Sequence, residues 1–298
     1  MIINWYPGHM DKALRMMETE LDLIDVAVYV LDSRAPFSCV NPKFEELLKS
    51  KPIVFVLNKA DLVDSADLIK WQKYFTGENK VCITLNSTES NSSKKLLDAV
   101  KNLHIKKLLK NEKRGVNIPL RMMILGVPNC GKSTLINNLC GKGKTITGDR
   151  AGVTRGKQWV TVADNLEVLD TPGTLWPNLD NTKVAHNLAY IGSIKDEVLD
   201  VSSLALDFLI DILKKDASLL ENRYNISIDT SSIEPIFEDE SVQLYDDDEL
   251  KMFALDVYEK ICSRRGFILK NKEFDYERCA RAILDDFKKG RLGKIILD

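Results

Sequence analysis

The sequence has little from which metal centres or disulfide scaffolds are built. It contains only three histidines, and its six cysteines, Cys39, Cys82, Cys130, Cys140, Cys262 and Cys279, lie far apart. There is no C-x-x-C pair and no histidine at ligand spacing beside a cysteine, which argues against a zinc site or a disulfide framework. No apolar run approaches the roughly 20 residues that a membrane helix needs. The opening stretch, MIINWYPGHMDKALRMMETE, lacks a basic segment followed by an apolar core and carries Asp11, Glu18 and Glu20. That speaks against a secretory or mitochondrial presequence, and the expected address is the cytoplasm. Net charge is nearly absent as well: 42 Lys and Arg face 44 Asp and Glu, a balance of -2 over 298 residues. The balance gives no global sign of a nucleic-acid binder, but it leaves a local basic face open.

What is present is 44% hydrophobic and 29% charged residues, enough for a globular core and for more than one average domain. The first two-thirds alternates short apolar runs with helix-like segments, the pattern of a mostly parallel sheet with helices on both faces. Predicted strands are Val26 to Leu31, Ile53 to Leu57, Val81 to Leu85, Arg121 to Leu125, Gln158 to Val162 and Leu166 to Leu169. Helices are expected over Asp11 to Ile24, Lys43 to Lys49, Ser65 to Phe75, Ser92 to Leu109 and Lys132 to Leu139. From about Lys183 helical periodicity takes over, at Lys183 to Tyr190, Ser202 to Lys214, Asp248 to Arg264 and Asp275 to Lys288. The reading is an α/β domain over 1–178 followed by a smaller all-helical domain over 179–298. Between Asp229 and Glu249 stand nine acidic residues and no Lys or Arg, which reads as a solvated loop.

Gly126 to Ser133, GVPNCGKS, fits G-x-x-x-x-G-K-[ST] between the apolar strand RMMIL and the helical STLINNL. A glycine-rich turn in that context aims backbone N–H groups, here those around Asn129, Cys130, Gly131 and Thr134, and a helix N-terminus at phosphate oxygens. Lys132 would neutralise the β and γ phosphates, and Ser133 would ligate Mg²⁺. The P-loop does not name the base. Asn58-Lys59-Ala60-Asp61, after the apolar run IVFVL, fits the N-K-x-D guanine signature: the Asp61 carboxylate can accept from guanine N1–H and its amino group, whereas adenine N1 offers a lone pair. Asn86-Ser87 ends another strand and would meet guanine O6. Asp170-Thr171-Pro172-Gly173 fits D-x-x-G, with Asp170 on Mg²⁺ and the Gly173 N–H sensing the γ-phosphate. Between it and the P-loop, Thr154 in GDRAGVTR could complete the Mg²⁺ shell. The thiol of Cys130 has no signal of an activated thiolate.

The order of these motifs is inverted. In an ordinary GTPase the phosphate loop comes first and the guanine motif last, whereas here NKAD precedes GVPNCGKS by more than sixty residues. The order is that of a circular permutation, which places the segment after DTPG next to the helical domain. Together with WYPGHM, GVTR, DTPGTLWP, IGSIKDEVLD and FDYERCARAILDDFKKGRLGKI, this order closely resembles the ribosome-biogenesis GTPase A family. The resemblance implies a cytoplasmic GTPase that binds GTP or GDP and a late precursor of the large ribosomal subunit with its rRNA. Neither membrane nor DNA enters the reading, and the chain is expected to be a monomer away from the particle.

Thr174 and Leu175 follow Gly173, so no glutamine is placed to orient water. The resemblance implies that a histidine of the P-G-H motif, His9, does this work; read from the residues alone, His9 is a loop residue in an anchored segment. It likewise implies K⁺ near Asn129, otherwise an ordinary turn residue. Hydrolysis is expected to be stimulated by the ribosomal subunit and by K⁺. Lys94 to Arg114 has eight basic residues against Asp98 and Glu112, and Leu250 to Asp298 has 12 basic against 8 acidic. Such runs are either solvated helix faces or phosphate-binding surfaces. The resemblance favours rRNA contact through Arg264, Arg265, Lys288, Lys289, Arg291 and Lys294. The rival reading is a GTP-dependent switch that acts on a protein effector without RNA.

Overall fold

The computed structural model describes residues 6–104, 119–140, 158–163, 166–177, 179–232, 236–239, 242–244 and 247–298. Its framework is a six-stranded sheet in the order β3-β2-β1-β4-β6-β5. The strands are β1 (Val26–Asp32), β2 (Ile53–Asn58), β3 (Lys80–Thr84), β4 (Leu120–Leu125), β5 (Gln158–Ala163) and β6 (Leu166–Asp170). All neighbours pair in parallel except β5, which runs antiparallel to β6. The apolar runs VAVYVL and IVFVL form central strands buried at every position, as expected of parallel strands covered on both faces.

The covering helices are α1 (His9–Glu20), α2 (Pro42–Leu47), α3 (Ser65–Phe75), α4 (Ser92–Leu103), α5 (Lys132–Cys140) and α6 (Thr182–Tyr190). An aromatic ladder fixes part of the core: Tyr29 lies 5.5 Å from Phe44 and 5.6 Å from Phe55, and Phe55 lies 4.9 Å from Phe75. Ring pairs at such separations add roughly 0.5–1.5 kcal/mol each beyond their buried area.

The chain divides into two compact units, Ile2–Lys195 with Lys294–Asp298, and Asp196–Gly293. The boundary therefore lies later than 178/179, because α6 belongs to the sheet unit. Its Ala185, Leu188 and Ala189 are buried, and Asn187 Nδ2 donates to Ser38 Oγ at 3.0 Å. Residues 294–298 also return to this unit. The backbone N–H of Ile295 donates to Leu62 O at 3.2 Å and that of Leu297 to Arg34 O at 2.7 Å. Asp298 accepts from Ser38 N at 3.0 Å and Asn187 Nδ2 at 2.9 Å.

The second unit holds α7 (Val201–Lys215), α8 (Ser218–Tyr224), α9 (Asp247–Arg265) and α10 (Tyr276–Lys288). Asp200 caps α7 by accepting from Ser202 N and Ser203 N, both at 3.1 Å. Asp286, 5% exposed, accepts both arms of Arg223 at 2.8 and 2.7 Å and the hydroxyl of Tyr224 at 3.2 Å. This unit is not all helical. Within the expected acidic loop, β7 (Ile236–Asp239) pairs antiparallel with β8 (Val242–Leu244), and Asp247, Asp248 and Glu249 already form the first turn of α9. Acidic residues there complement the positive end of the helix dipole, so their clustering marks a helix start as much as a loop. Helix α8 was not expected at all.

Phe208 is fully buried and packs 5.0 Å from Phe287, joining α7 to α10. Phe208→Ala should lower the stability of the second unit by roughly 3–5 kcal/mol in denaturant unfolding. A loss below about 1 kcal/mol would mean that this pair is not part of its core.

Candidate nucleotide site

In open parallel sheets, ligands bind at the carboxyl ends of the strands. Five loops meet there in this chain. They follow β1 (Asp32–Arg34), β2 (Asn58–Asp61), β3 (Asn86–Ser87), β4 (Gly126–Ser133) and β6 (Asp170–Gly173). The parallel register sets their height: Asp32 pairs with Asn58, and Ile124 with Asp170.

The P-loop turns from β4 into α5 with Gly126, Asn129 and Gly131 at positive φ. Gly131 has φ +102, and a Cβ on it would run into the side-chain amide of Asn58, so only glycine fits. Lys132 is 6% exposed, and its Nζ donates to Gly126 O at 3.1 Å and Val127 O at 2.8 Å. Ser133 and Thr134 follow in the first turn of α5, where helix N–H groups point toward an anion. Burial pushes the Cys130 thiol above its ordinary value even with Lys132 and Lys59 nearby, which fits an inert packing residue.

Asn58 joins three of these loops. Its Nδ2 donates to Cys130 O in the P-loop at 2.7 Å, and its Oδ1 accepts from Ser87 N at 2.9 Å. The side chain is fully buried, so both bonds are made away from water. Asn138 on α5 also ties down the 86–89 segment, donating to Ser87 O at 3.1 Å and Glu89 O at 2.6 Å. Asn86 Oδ1 accepts from Thr88 N at 3.0 Å and so closes an Asx turn. Asp61 lies exposed in the turn after Lys59, where its carboxylate can meet a base edge.

The D-x-x-G segment sits against the P-loop. A Cβ on Gly173 would come 2.7 Å from Pro128 Cα and 2.9 Å from Lys132 Nζ, so the glycine permits this close approach. Thr174 N donates to Gly126 O at 3.3 Å, and Thr171 Oγ1 to Ile124 O at 2.6 Å. Asp170 is 3% exposed at the end of β6. Asn129 Nδ2 donates to Gly192 O at 2.7 Å, and Ser193 Oγ to Pro128 O at 2.8 Å, so the segment after α6 grips the P-loop.

His9 is the exposed first residue of α1 rather than a loop residue. The neighbouring Met10 is buried, and its Sδ accepts from Leu175 N at 3.3 Å, which fixes the start of α1 beside the D-x-x-G segment. Thr154 and the rest of GDRAGVTR lie outside the described residues, as do Lys106 to Arg114. Of the six expected RNA-facing residues, Lys288, Lys289, Arg291 and Lys294 have acidic partners at 2.9 to 3.8 Å, and Arg265 lies over the Tyr224 ring. Lys294 belongs to the sheet unit, not to the helical one. Among the described residues no cluster of His, Cys, Asp and Glu forms a metal site, and no helix is long and apolar enough to cross a membrane.

Sequence reasoning missed an ion triad next to the guanine loop, in which Asp32 and Arg34 are buried and Lys59 is partly exposed. Asp32 accepts from Arg34 Nε at 2.9 Å and Nη2 at 2.7 Å, and Lys59 Nζ lies 2.8 Å from its Oδ2. The signal was D-x-R at the end of a strand, whose partner Lys59 could be found only from the register.

Fold and site together define a circularly permuted P-loop GTPase. A family profile described as 50S ribosome-binding GTPase matches residues 121–236. The chain is 34% identical to the ribosome biogenesis GTPase A of Bacillus cereus, over 100% of this chain and 94% of that protein. It is 31% identical to mitochondrial ribosome-associated GTPase 1 of Bos taurus, over 100% of this chain and 89% of that one. Its fold is similar to that of GNP-bound YlqF from T. maritima, with a TM-score of 0.60 and 24% identity over 96% of this chain and 97% of that one. The chain belongs to the ribosome biogenesis GTPase A family.

Burial alone would raise the Asp32 carboxyl, but Arg34 and Lys59 outweigh it and hold the group well below its ordinary value of 3.8. A depressed carboxyl stabilises the fold above its unfolded value, and that stability is lost as pH falls through the folded one. Melting temperature should therefore be insensitive to this group between about pH 5 and 8 and drop on acidification below about pH 4. Asp32→Asn removes the charge paired with the buried Arg34 and should lose roughly 3–5 kcal/mol at neutral pH, with a shallower acid limb. Identical acid limbs in parent and variant would contradict this.

Proposed function

We propose that this chain is a GTP-hydrolysing assembly factor that binds a late precursor of the large ribosomal subunit and leaves it on hydrolysis. The observation that carries the nucleotide part is the Asn58 side chain, which holds the guanine loop, the P-loop and the Asn86-Ser87 loop together at the carboxyl ends of the strands. The ribosomal part rests on family membership over the whole chain.

In this reading Asp61 accepts from guanine N1–H and its amino group, Lys132 and the P-loop N–H groups hold the phosphates, and Gly173 senses the γ-phosphate. Ser133 and Asp170, with Thr154, would hold Mg²⁺. Hydroxyl and carboxylate oxygens suit this hard cation, and Asp170 stands at the end of the strand beside the one that feeds the P-loop. When bound, Mg²⁺ would offset phosphate charge. K⁺ would be met by the carboxamide oxygen of Asn129, since the nitrogen end donates to Gly192 O; equal hydrolysis in KCl and NaCl would remove this role.

His9 is the residue that positions water. Its support is the anchoring of Met10 on Leu175, two residues beyond Gly173, while Thr174 at the position next to that glycine is fully buried. Arg264, Arg265, Lys288, Lys289 and Arg291 of the helical unit would face rRNA. The surface ion pairs of Lys288 with Asp196 and of Lys289 and Arg291 with Asp285 contribute little in water and can be exchanged for phosphate contacts. The protein acts in the cytoplasm as a monomer that joins the particle.

The test combines co-sedimentation with single-turnover kinetics. With a non-hydrolysable GTP analogue the chain should sediment with large-subunit precursors, and the subunit should accelerate hydrolysis by the parent but not by His9→Ala. Sedimentation with a protein effector and no ribosomal particle would support an effector switch instead. Equal stimulation of parent and His9→Ala would reject the role of His9.

A further inference from the structure

We propose that Asp32 is a positioning residue for guanine-nucleotide binding, acting through Lys59 to hold the guanine loop against the P-loop. This rests on the GTPase reading of the site and adds a residue that lies outside the sequence motifs of that site.

The geometry begins with strand register. Asp32 ends β1 directly opposite Asn58, the first residue of the guanine motif, and Ser33 N donates to Asn58 O at 2.9 Å. Asp32 is fully buried. Its Oδ1 accepts from the backbone N–H of Arg34 at 3.1 Å and from Arg34 Nε at 2.9 Å, and its Oδ2 accepts from Nη2 at 2.7 Å. The guanidinium fork therefore locks the carboxylate in one orientation. The same Oδ2 stands 2.8 Å from Lys59 Nζ.

Lys59 spans the gap between the two loops. Its ammonium also donates to Asn129 O, the P-loop carbonyl, at 2.9 Å. Both residues joined by this bond are in the left-handed region, Lys59 at φ 58 and Asn129 at φ 59. Asparagine tolerates that region, whereas lysine is uncommon there and persists where its surroundings hold it. The Asp32 carboxylate holds the far end of the Lys59 side chain. It draws the ammonium inward over the P-loop carbonyl, while Asp61, two residues on, is left exposed to a base.

Charge gives the same answer. With Asp32 ionised, the triad of one anion and two cations carries a net positive charge next to a phosphate-binding loop. Without the carboxylate, Lys59 would face the buried Arg34 guanidinium with nothing between them, and its flexible stem would turn to water. The Asn129 bond would go with it. Asn58 would keep its own two bonds, so the result is a loosened guanine loop rather than a dismantled site.

A purely structural Asp32 would affect folding alone, so the test reads nucleotide discrimination on folded protein. GDP and ADP affinities are measured for the parent, Asp32→Asn, Lys59→Met and the double variant, each checked for folding by circular dichroism. In Asp32→Asn, GDP affinity should fall at least about tenfold, the effect of losing one charge-assisted contact, and the preference for GDP over ADP should shrink. Adding Asp32→Asn to Lys59→Met should have little further effect, because both act through one ammonium. If Asp32→Asn does not fold, Asp32→Glu carries the test: it keeps the charge but moves the carboxylate by one methylene, and it too should weaken GDP binding and the preference for it. Unchanged GDP affinity and preference in the folded variants, or fully multiplicative losses in the double variant, would overturn the proposal. A parent that binds GDP no better than ADP would instead overturn the GTPase reading on which it rests.

Discussion

The carboxamide of Asn58 is the small group on which the nucleotide site depends. It is buried, and it donates to the P-loop at Cys130 O while it accepts from Ser87 N. An unpaired buried amide is costly, so these loops hold one another in place or the site opens. Gly131 has no side chain because Asn58 occupies the space a Cβ would need. Three loops that come from three strands far apart in the sequence are thus fixed by one residue at the end of β2, and the parallel sheet sets the height at which they meet. Lys59 and Asp32 extend the same arrangement one step outward, from hydrogen bonds to charges.

Circular permutation changes which pieces of chain adjoin this centre without changing the centre. The segment after α6 grips the P-loop through Gly192 O and Ser193 Oγ, and the second unit begins three residues later at Asp196. After that unit in the chain, residues 294–298 of the sheet unit are bonded to Leu62 O just after the guanine motif and to Arg34 O beside the ion triad. The sheet-unit segments that precede and follow the second unit in the chain are therefore each hydrogen-bonded to loops of the nucleotide site.

Much of this was legible in the sequence because its signals are local. Runs such as VAVYVL and IVFVL are long enough only for strands, and Ser65 to Phe75 follows helical periodicity from end to end. The phosphate and guanine motifs stand where strands stop, so their residues converge as soon as the sheet is parallel. The features that escaped are non-local. Asp32 and Lys59 meet only because β1 and β2 pair in one register. The return of Asp298 to Ser38 and Asn187 joins residues with no periodicity between them. The acidic stretch misled for a different reason: its charge describes solvent exposure, whereas its end at Asp247 is a helix N-terminus, where acids are equally at home.

The central claim is that these loops form a guanine site that the permuted chain assembles whole. Titration of the parent protein with GTP and with ATP, each with Mg²⁺, tests it most directly. The account predicts GTP binding tighter than ATP binding by roughly 10³-fold or more, since adenine would leave the Asp61 carboxylate facing a lone pair. ATP binding as tight as GTP binding would contradict it.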